Sequence, residues 1–286
     1  MNIRLAGIIT RPGSPDVEQV GRQLVRWFAE RGIEAGLNTI TQFMDILVVL
    51  GGDGTLLHVA RQASYNDIPV LGVNLGNLGF LTEIAAEEMY YALETVLAGD
   101  FRIEKRIMLA AAVVHGNDGQ KSAPVYALNE VVIVKDSTDQ IIRLRCWADR
   151  EYIATYRADG LIMATPTGST AYNLSAGGPI VHGELDTIVV TPICPFMLES
   201  RPVLLGPDSR ITTQLLAPAG EVKVLVDGEQ QWKISEHDYL LVQKAGKPLC
   251  LIASPLKSYF TILRKKLNWG GIGADVPLPE LVCRHC

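Results

Sequence analysis

The chain has 286 residues, 48% of them hydrophobic and 20% charged, and a formal net charge of −5. This is a globular composition, sufficient for one large domain or two modest ones. The acid excess disfavours a nucleic-acid binder, and no apolar run approaches the ~20 residues of a membrane span.

Residues 3–10 read as a first strand, broken by Pro12, Gly13 and Pro15. Asp16 is the expected N-cap of a helix that carries Val17, Val20, Leu24, Trp27 and Phe28 on one face and ends at Gly32. A short strand at 33–37 precedes the apolar run Ile46-Leu47-Val48-Val49-Leu50, which leads into Gly51-Gly52-Asp53-Gly54-Thr55. A helix over Leu56–Ala63, a buried strand over Pro69–Asn74, a turn at 76–80 and a helix over Glu87–Leu97 follow. Alternating strands and helices imply a parallel sheet covered by helices.

Beyond residue 101 the periodicity changes to short β-type runs, at 107–115, 125–134, 141–148, 151–156, 161–164, 187–191, 211–216, 222–226 and 239–243. Turn signals such as Asp227-Gly228-Glu229 punctuate them. The expected fold is an α/β N-terminal domain with a parallel sheet plus an all-β, sandwich-like C-terminal domain. The first domain is expected over 1–103, with a helix at Tyr259–Leu267 and the rest of 255–286 packing back on it, and the second over 104–254.

The N-terminal residues run straight into a strand without a signal-peptide layout. Cys146, Cys194, Cys250, Cys283 and Cys286 are odd in number and scattered, which suggests reduced thiols and a cytoplasmic protein. The tail Cys283-Arg284-His285-Cys286 offers at most three zinc ligands and reads as a disordered terminus.

The glycine loop carries the chemistry most plainly. Glycines between a buried strand and a helix N-terminus let backbone N–H groups approach a phosphate. A carboxylate in such a loop repels phosphate, so Asp53 makes sense as a general base or a metal-assisting group beside a phosphate ester. An isolated Asp-Gly would be a plain turn; the strand–glycine–helix context favours chemistry. The stretch Thr165-Pro166-Thr167-Gly168-Ser169-Thr170-Ala171-Tyr172 offers hydroxyls and one aromatic face for a nucleoside, or is a polar loop. Asn129-Glu130 leads into an apolar strand and is suited to sugar hydroxyls, though strand ends are often polar. Arg157 is suited to a phosphate or to a carboxylate. His58, one turn into the helix, faces either a pocket or solvent.

In this order the segments resemble NAD kinases of the bacterial type. The matching residues are 51–55, Asn74-Leu75-Gly76-Asn77-Leu78-Gly79-Phe80-Leu81-Thr82, Leu128-Asn129-Glu130, Asp159-Gly160-Leu161-Ile162, 165–172 and Ser175-Ala176-Gly177-Gly178-Pro179. The first segment is shared with diacylglycerol and sphingosine kinases and, more loosely, with phosphofructokinases. The others narrow the resemblance. It implies transfer of the γ-phosphoryl group of ATP, or of polyphosphate, to the adenosine 2′-hydroxyl of NAD to give NADP, with a divalent cation such as Mg²⁺. It implies Asp53 as the base. Gly54, His58, Asn129, Glu130, Arg157, Asp159, Thr170, Ala171, Tyr172, Asn173, Leu174 and Ser175 would bind the dinucleotide. No residue is singled out as a metal ligand. It further implies a homodimer or homotetramer, with small molecules rather than nucleic acid or membrane as partners.

Phe196 stands where the family often has histidine, and Glu229 where it often has glutamine. A lipid kinase of the diacylglycerol type is the alternative, disfavoured because 165–179 is rich in hydroxyls and poor in large apolar residues. A non-catalytic dinucleotide sensor would lack the base that Asp53 supplies.

Overall fold

The structure is a computed structural model that describes residues 3–136, 140–197, 200–218 and 220–268. The cysteine-containing tail at 283–286 lies outside the described residues. The chain divides into two compact units. One contains Met1–Leu56, Val70–Arg102 and the chain from Ile252 onward; the other contains Leu57–Pro69 and Ile103–Leu251.

The first unit is α/β. Its elements in order are β1 (Leu5–Thr10), α1 (Pro15–Ala29), β2 (Glu34–Leu37), β3 (Ile46–Leu50), the start of α2 (Asp53–Tyr65), β4 (Val70–Asn74), β5 (Ile84–Ala85) and α3 (Met89–Leu97). The strands are parallel in the order β2-β1-β3-β4-β5, with Ala6 opposite Ile46 and Leu47 opposite Val70. All five residues of β3 are buried, as a continuous apolar run in the middle of a covered parallel sheet requires. Leu24 and Phe28 of α1 pack on Ile8, Val48 and Leu50, and Ala92, Leu93 and Val96 of α3 join the same core.

Three helix starts differ from the sequence reading, α3 by beginning at Met89 rather than Glu87. Helix α1 begins at Pro15 after Ser14, not after Asp16. Proline has no N–H to lose in a first turn, and its φ is already helical. Helix α2 begins at Asp53, three residues before Leu56, because the Gly52 carbonyl already accepts the N–H groups of Thr55 and Leu56 at 3.0 and 3.4 Å.

The C-terminal helix, Tyr259–Leu267, belongs to this first unit. Ser258 caps it by accepting the Thr261 N–H. Lys257 ties its start down, donating to the Glu83 carbonyl at 3.1 Å and pairing with Glu88.

The second unit is antiparallel β. It contains β6 (Ile103–Arg106), β7 (Leu109–Val114), β8 (Val125–Ala127), β9 (Glu130–Lys135), β10 (Ile142–Ala148), β11 (Glu151–Ala158), β12 (Gly160–Ala164), the one-turn α4 (Tyr172–Ser175), β13 (Ile188–Ile193), β14 (Val203–Leu205), β15 (Ile211–Leu216), β16 (Val222–Val226), β17 (Glu229–Ile234), β18 (Tyr239–Lys244) and β19 (Leu249–Ile252). One sheet runs β11-β10-β15-β18-β7-β8 and another β14-β13-β12-β9-β16-β17. Leu109, Leu144 and Leu215 of the first sheet and Ile133, Met163 and Val224 of the second share one buried core. The expected α/β plus β-sandwich class is what folds.

The single run expected at 125–134 is two strands. The break falls at Leu128 and Asn129, whose N–H groups go to the Asp227 carboxylate. Strands β6, β14, β17 and β19 had no sequence signal strong enough to register. In β17, Glu-Gln-Gln-Trp-Lys-Ile is a polar edge strand hydrogen-bonded only to β16 among the described strands.

Candidate active site

In the first unit the site is built from the β3–α2 loop and the turn after β4. The N–H of Phe80 donates to Asp53 Oδ2 at 2.8 Å. Oδ1 accepts three bonds of 3.0 Å, from the N–H groups of Leu81 and Thr82 and from Thr82 Oγ1. Asn74 Nδ2 donates to the same Thr82 hydroxyl at 2.9 Å and so fixes its orientation. A carboxylate has about four acceptor positions, and Oδ1 carries most of this load while Oδ2 takes one bond. The contact needs glycine at position 79, since a Cβ there would lie 2.0 Å from Asp53 Oδ1. Gly52 and Gly54 face open space. Thr55 and Leu56 spend their N–H groups on the Gly52 carbonyl, which leaves those of Asp53 and Gly54 at the helix start, an end attractive to an anion. Lys266 of the C-terminal helix adds a cation nearby, its Nζ 5.8 Å from the centre of the Phe80 ring.

In the second unit the site is built around the β16–β17 hairpin. Asp227 and Gly228 both have positive φ, 48° and 84°, as a two-residue turn between strands of this twist demands. The turn aims the Asp227 carboxylate at the start of β9. Its Oδ2 accepts the Leu128 N–H at 2.7 Å, and its Oδ1 accepts those of Asn129 and Glu130 at 2.8 and 3.0 Å. Burial raises the Asp227 carboxyl above its usual range; the three N–H groups oppose this and the Glu229 charge adds to it.

Glu130 is buried. The Tyr172 N–H donates to its carboxyl, and its Oε2 has no partner. Burial first, and the Asp227 charge second, push this carboxyl up to about 8, against the lowering effect of the Tyr172 N–H. At neutral pH Glu130 therefore carries a proton, and its unpartnered oxygen is able to donate or accept.

The stretch 165–179 divides into groups that hold the loop and groups that face outward. Thr165 Oγ1 donates to the Leu128 carbonyl at 2.6 Å, and Ser169 Oγ accepts the Val181 N–H at 3.0 Å. Asn173 is fully buried. Its Nδ2 donates to the carbonyls of Ser169 and Pro179, both at 3.1 Å, and its Oδ1 accepts from Thr191 at 2.6 Å. Asn173 therefore acts on the loop's shape, with no hydrogen-bonding group of its side chain left over. A Cβ on Gly178 would come within 2.1 Å of that amide. Thr170 Oγ1 is bonded to the Thr167 carbonyl at 3.3 Å. Tyr172 and Ser175 are exposed, Asn129, Thr170, Ala171 and Leu174 half-buried. The side chains of Asn129 and Ser175 have no hydrogen bond to other described residues and are free to meet a ligand.

The remaining expected residues have other company. Asp159 pairs with Lys135 at 2.7 Å rather than with Arg157. The Arg157 guanidinium lies 4.7 Å from the centre of the Phe196 ring, which serves it as a cation–π seat. His58 Nδ1 is 3.5 Å from Glu229 Oε1, with both side chains well exposed, a contact of little energetic weight. Sequence reading missed Asp227 as a site residue. Its turn signal was legible, but the reach of its side chain to residues 99 positions earlier was not. Among the described residues, no group of three or more His, Cys, Asp or Glu side chains is placed to hold a metal ion.

Both parts of the chain have relatives among known proteins. Residues 32–101 match the ATP-NAD kinase N-terminal domain and residues 128–254 the ATP-NAD kinase C-terminal domain. The NAD kinase of Syntrophotalea carbinolica is 42% identical over 281 residues, covering 92% of this chain and 98% of that one. That of Solibacter usitatus is 42% identical over 284 residues, covering 94% and 98%. Among solved structures, yeast NADH kinase complexed with NADH is similar, with a TM-score of 0.86 at 23% identity over 96% of this chain and 90% of that one. An NAD kinase from Archaeoglobus fulgidus in complex with ATP has a TM-score of 0.71 at 22% identity, over 93% and 96%; at these identities the structures speak for the fold alone. With relatives above 40% identity over nearly its whole length, the chain belongs to the NAD kinase family.

Proposed function

We propose that Asp53 is the general base of the reaction that family membership assigns to this chain, phosphorylation of the adenosine 2′-hydroxyl of NAD by ATP. The observation that carries this reading is the asymmetry of the Asp53 carboxylate. Three donors clamp Oδ1 and one meets Oδ2, so the group is held in place while Oδ2 keeps acceptor capacity for a hydroxyl proton. Such a base removes the proton as the sugar oxygen attacks the γ-phosphoryl group, and the charge on the transferring group is met by the N-terminal end of α2 and by Lys266.

Asn129, the protonated Glu130, Tyr172 and Ser175 are the groups we assign to the NAD nucleoside. Arg157, Asp159, His58 and Gly54 are assigned to the same ligand on the family resemblance, and Thr170, Ala171 and Leu174 as the wall of its pocket. A divalent cation would enter on the donor's phosphates, as Mg²⁺ commonly does; the described residues offer no ready-made cage for it, and no step above runs through one. Polyphosphate as an alternative donor, a homo-oligomeric state and a cytoplasmic location belong to the same reading. Among the described residues no helix is long and apolar enough to cross a membrane.

The test is formation of NADP from NAD, ATP and Mg²⁺ by the wild type and by Asp53→Asn. The expected result is product from the wild type and a loss of turnover on the order of 10²–10⁴-fold in the variant. A wild type that makes no NADP with ATP or polyphosphate overturns the reading.

A further inference from the structure

Within the first unit, the turn that receives the Asp53 carboxylate holds a hydrogen-bond chain that can run in one direction only. The Gly76 N–H donates to Asn74 Oδ1 at 2.7 Å, which leaves Asn74 Nδ2 as the end of the amide that meets Thr82 Oγ1, at 2.9 Å. An amide nitrogen donates and does not accept, so the single proton of the Thr82 hydroxyl has to leave in another direction. Asp53 Oδ1 lies there, at 3.0 Å. We infer that Thr82, with its hydroxyl turned by Asn74, is a positioning residue of the phosphoryl transfer, holding the Asp53 carboxylate by Oδ1 so that Oδ2 is the oxygen presented to the substrate hydroxyl. This role rests on the reading of Asp53 as the general base.

The three N–H groups that meet Asp53 belong to residues 80–82 of the turn and move with it. The hydroxyl differs from them, because Asn74 ties it to the last residue of β4, a strand buried along its whole length in the parallel sheet. Asp53 Oδ1 is thereby fastened to the sheet as well as to the loop. Thr82 and Asn74 are both buried, so water does not stand in for either partner. Two glycines make room for the link. A Cβ on Gly72 of β4 would lie 2.5 Å from the Leu81 carbonyl oxygen, and one on Gly79 would lie 2.3 Å from Thr82 Oγ1. A carboxylate that tilts to offer Oδ1 to a substrate gives up the hydroxyl bond, whereas Oδ2, with the Phe80 N–H as its one bond, keeps an acceptor position open without any such loss. A base held in one orientation is worth rate, since small misplacements of a reacting group are costly.

The test is steady-state NADP formation, beside thermal melts, by the wild type, Asp53→Asn, Thr82→Val, Thr82→Ser, Asn74→Asp and the double variant Asp53→Asn with Thr82→Val. Valine keeps the shape of threonine without the proton. The expected result for Thr82→Val is a kcat about 10-fold lower with the KM for NAD within about twofold, and recovery to within about threefold in Thr82→Ser. Asn74→Asp keeps the hydroxyl but offers it an acceptor, which draws its proton away from Asp53, and kcat should fall there by about 10-fold too. A group that acts through Asp53 has nothing to act on once the base is gone, so Thr82→Val should change the residual kcat of Asp53→Asn by less than about twofold. A kcat within about twofold of wild type in Thr82→Val or in Asn74→Asp overturns the inference, and Asn74→Asp decides alone where Thr82→Val melts below the assay temperature. A loss of about 10-fold that recurs in the Asp53→Asn background also overturns it, and marks Thr82 as a structural residue of the turn. A near-normal kcat in Asp53→Asn removes the base itself. Low turnover in Asp53→Asn with normal turnover in Thr82→Val leaves the base and removes Thr82.

Discussion

Replacing Glu130 by glutamine changes stability with a pH signature that no neutral side chain imitates. The carboxyl is buried with one oxygen unpartnered, and its ordinary value of 4.5 rises to about 8 in the fold. A group that holds its proton more tightly when folded stabilises the protein fully below its unfolded value. That stability is lost as pH climbs toward the folded value, and is gone above it. For Glu130 the window runs from 4.5 to about 8. The slope there is about 1.4 kcal/mol per pH unit, so the whole effect is at most about 5 kcal/mol. Glutamine keeps the shape and an N–H donor but does not titrate. The wild-type stability minus that of Glu130→Gln should therefore fall by about 2–5 kcal/mol between pH 5 and pH 8.5. Asp227 titrates in both proteins and largely cancels in the difference. Urea unfolding at fixed ionic strength, followed by circular dichroism at several pH values, measures it. A difference that stays constant within about 0.5 kcal/mol across the range would refute a protonated Glu130.

Asp53→Asn should keep its NAD affinity within about twofold while turnover drops on the order of 10²–10⁴-fold, read by calorimetry beside steady-state kinetics; a near-normal kcat would leave Asp53 as a turn-holder only. Gly79→Ala should displace the same carboxylate by the clash at Oδ1, lowering both the melting temperature and kcat, at about 1–3 kcal/mol of stability; if both parameters stay at wild-type values, the close approach is unimportant. Asn173→Ala should cost about 2–4 kcal/mol in urea unfolding by orphaning the Ser169 and Pro179 carbonyls and Thr191 Oγ1; a loss below about 1 kcal/mol would return Asn173 to the ligand-facing set.

The parts of the fold legible in the sequence are those whose signal is local. β3 is an uninterrupted apolar run followed by glycines, so both the strand and the loop are readable from ten residues. The face of α1 is readable because Leu24 and Phe28 recur at helical spacing and are both fully buried. The strands that escaped detection carry no strong local signal of their own. β17 alternates poorly and exists because β16 supplies its hydrogen bonds. The break between β8 and β9 is likewise invisible locally, since nothing in Ala-Leu-Asn-Glu says that a carboxylate from position 227 will take the N–H groups. Among site residues, the types offered by 165–175 were readable but their directions were not. Asn173 and Ser175 look equally suited to a ligand in the sequence; in the fold one is consumed by the loop and the other is exposed.

Asp53 and Asp227 use one device twice, and the comparison shows why only one is a candidate base. Each is an aspartate before a glycine, and each gathers the N–H groups of three consecutive residues, 80–82 and 128–130. Three adjacent N–H groups converging on a point are otherwise an anion nest, so in both places the carboxylate fills a hollow of the protein's own making. What differs is the surroundings. Asp227 stands where burial weighs against its charge and the Glu229 charge adds to the penalty, beside Glu130, whose carboxyl the Asp227 charge raises in turn. Two carboxyls so placed do not both ionise freely, and the proton stays with Glu130. Asp53 is half-exposed, stands at a helix N-terminus beside two glycines that open on empty space, and has Lys266 close to its turn. Proton removal from a hydroxyl requires a carboxylate that is reachable and unable to swing away. The loop after β3 meets both conditions, whereas the hairpin after β16 holds its carboxylate where burial opposes the charge, which suits it to holding Asn129 and Glu130 in line for a ligand.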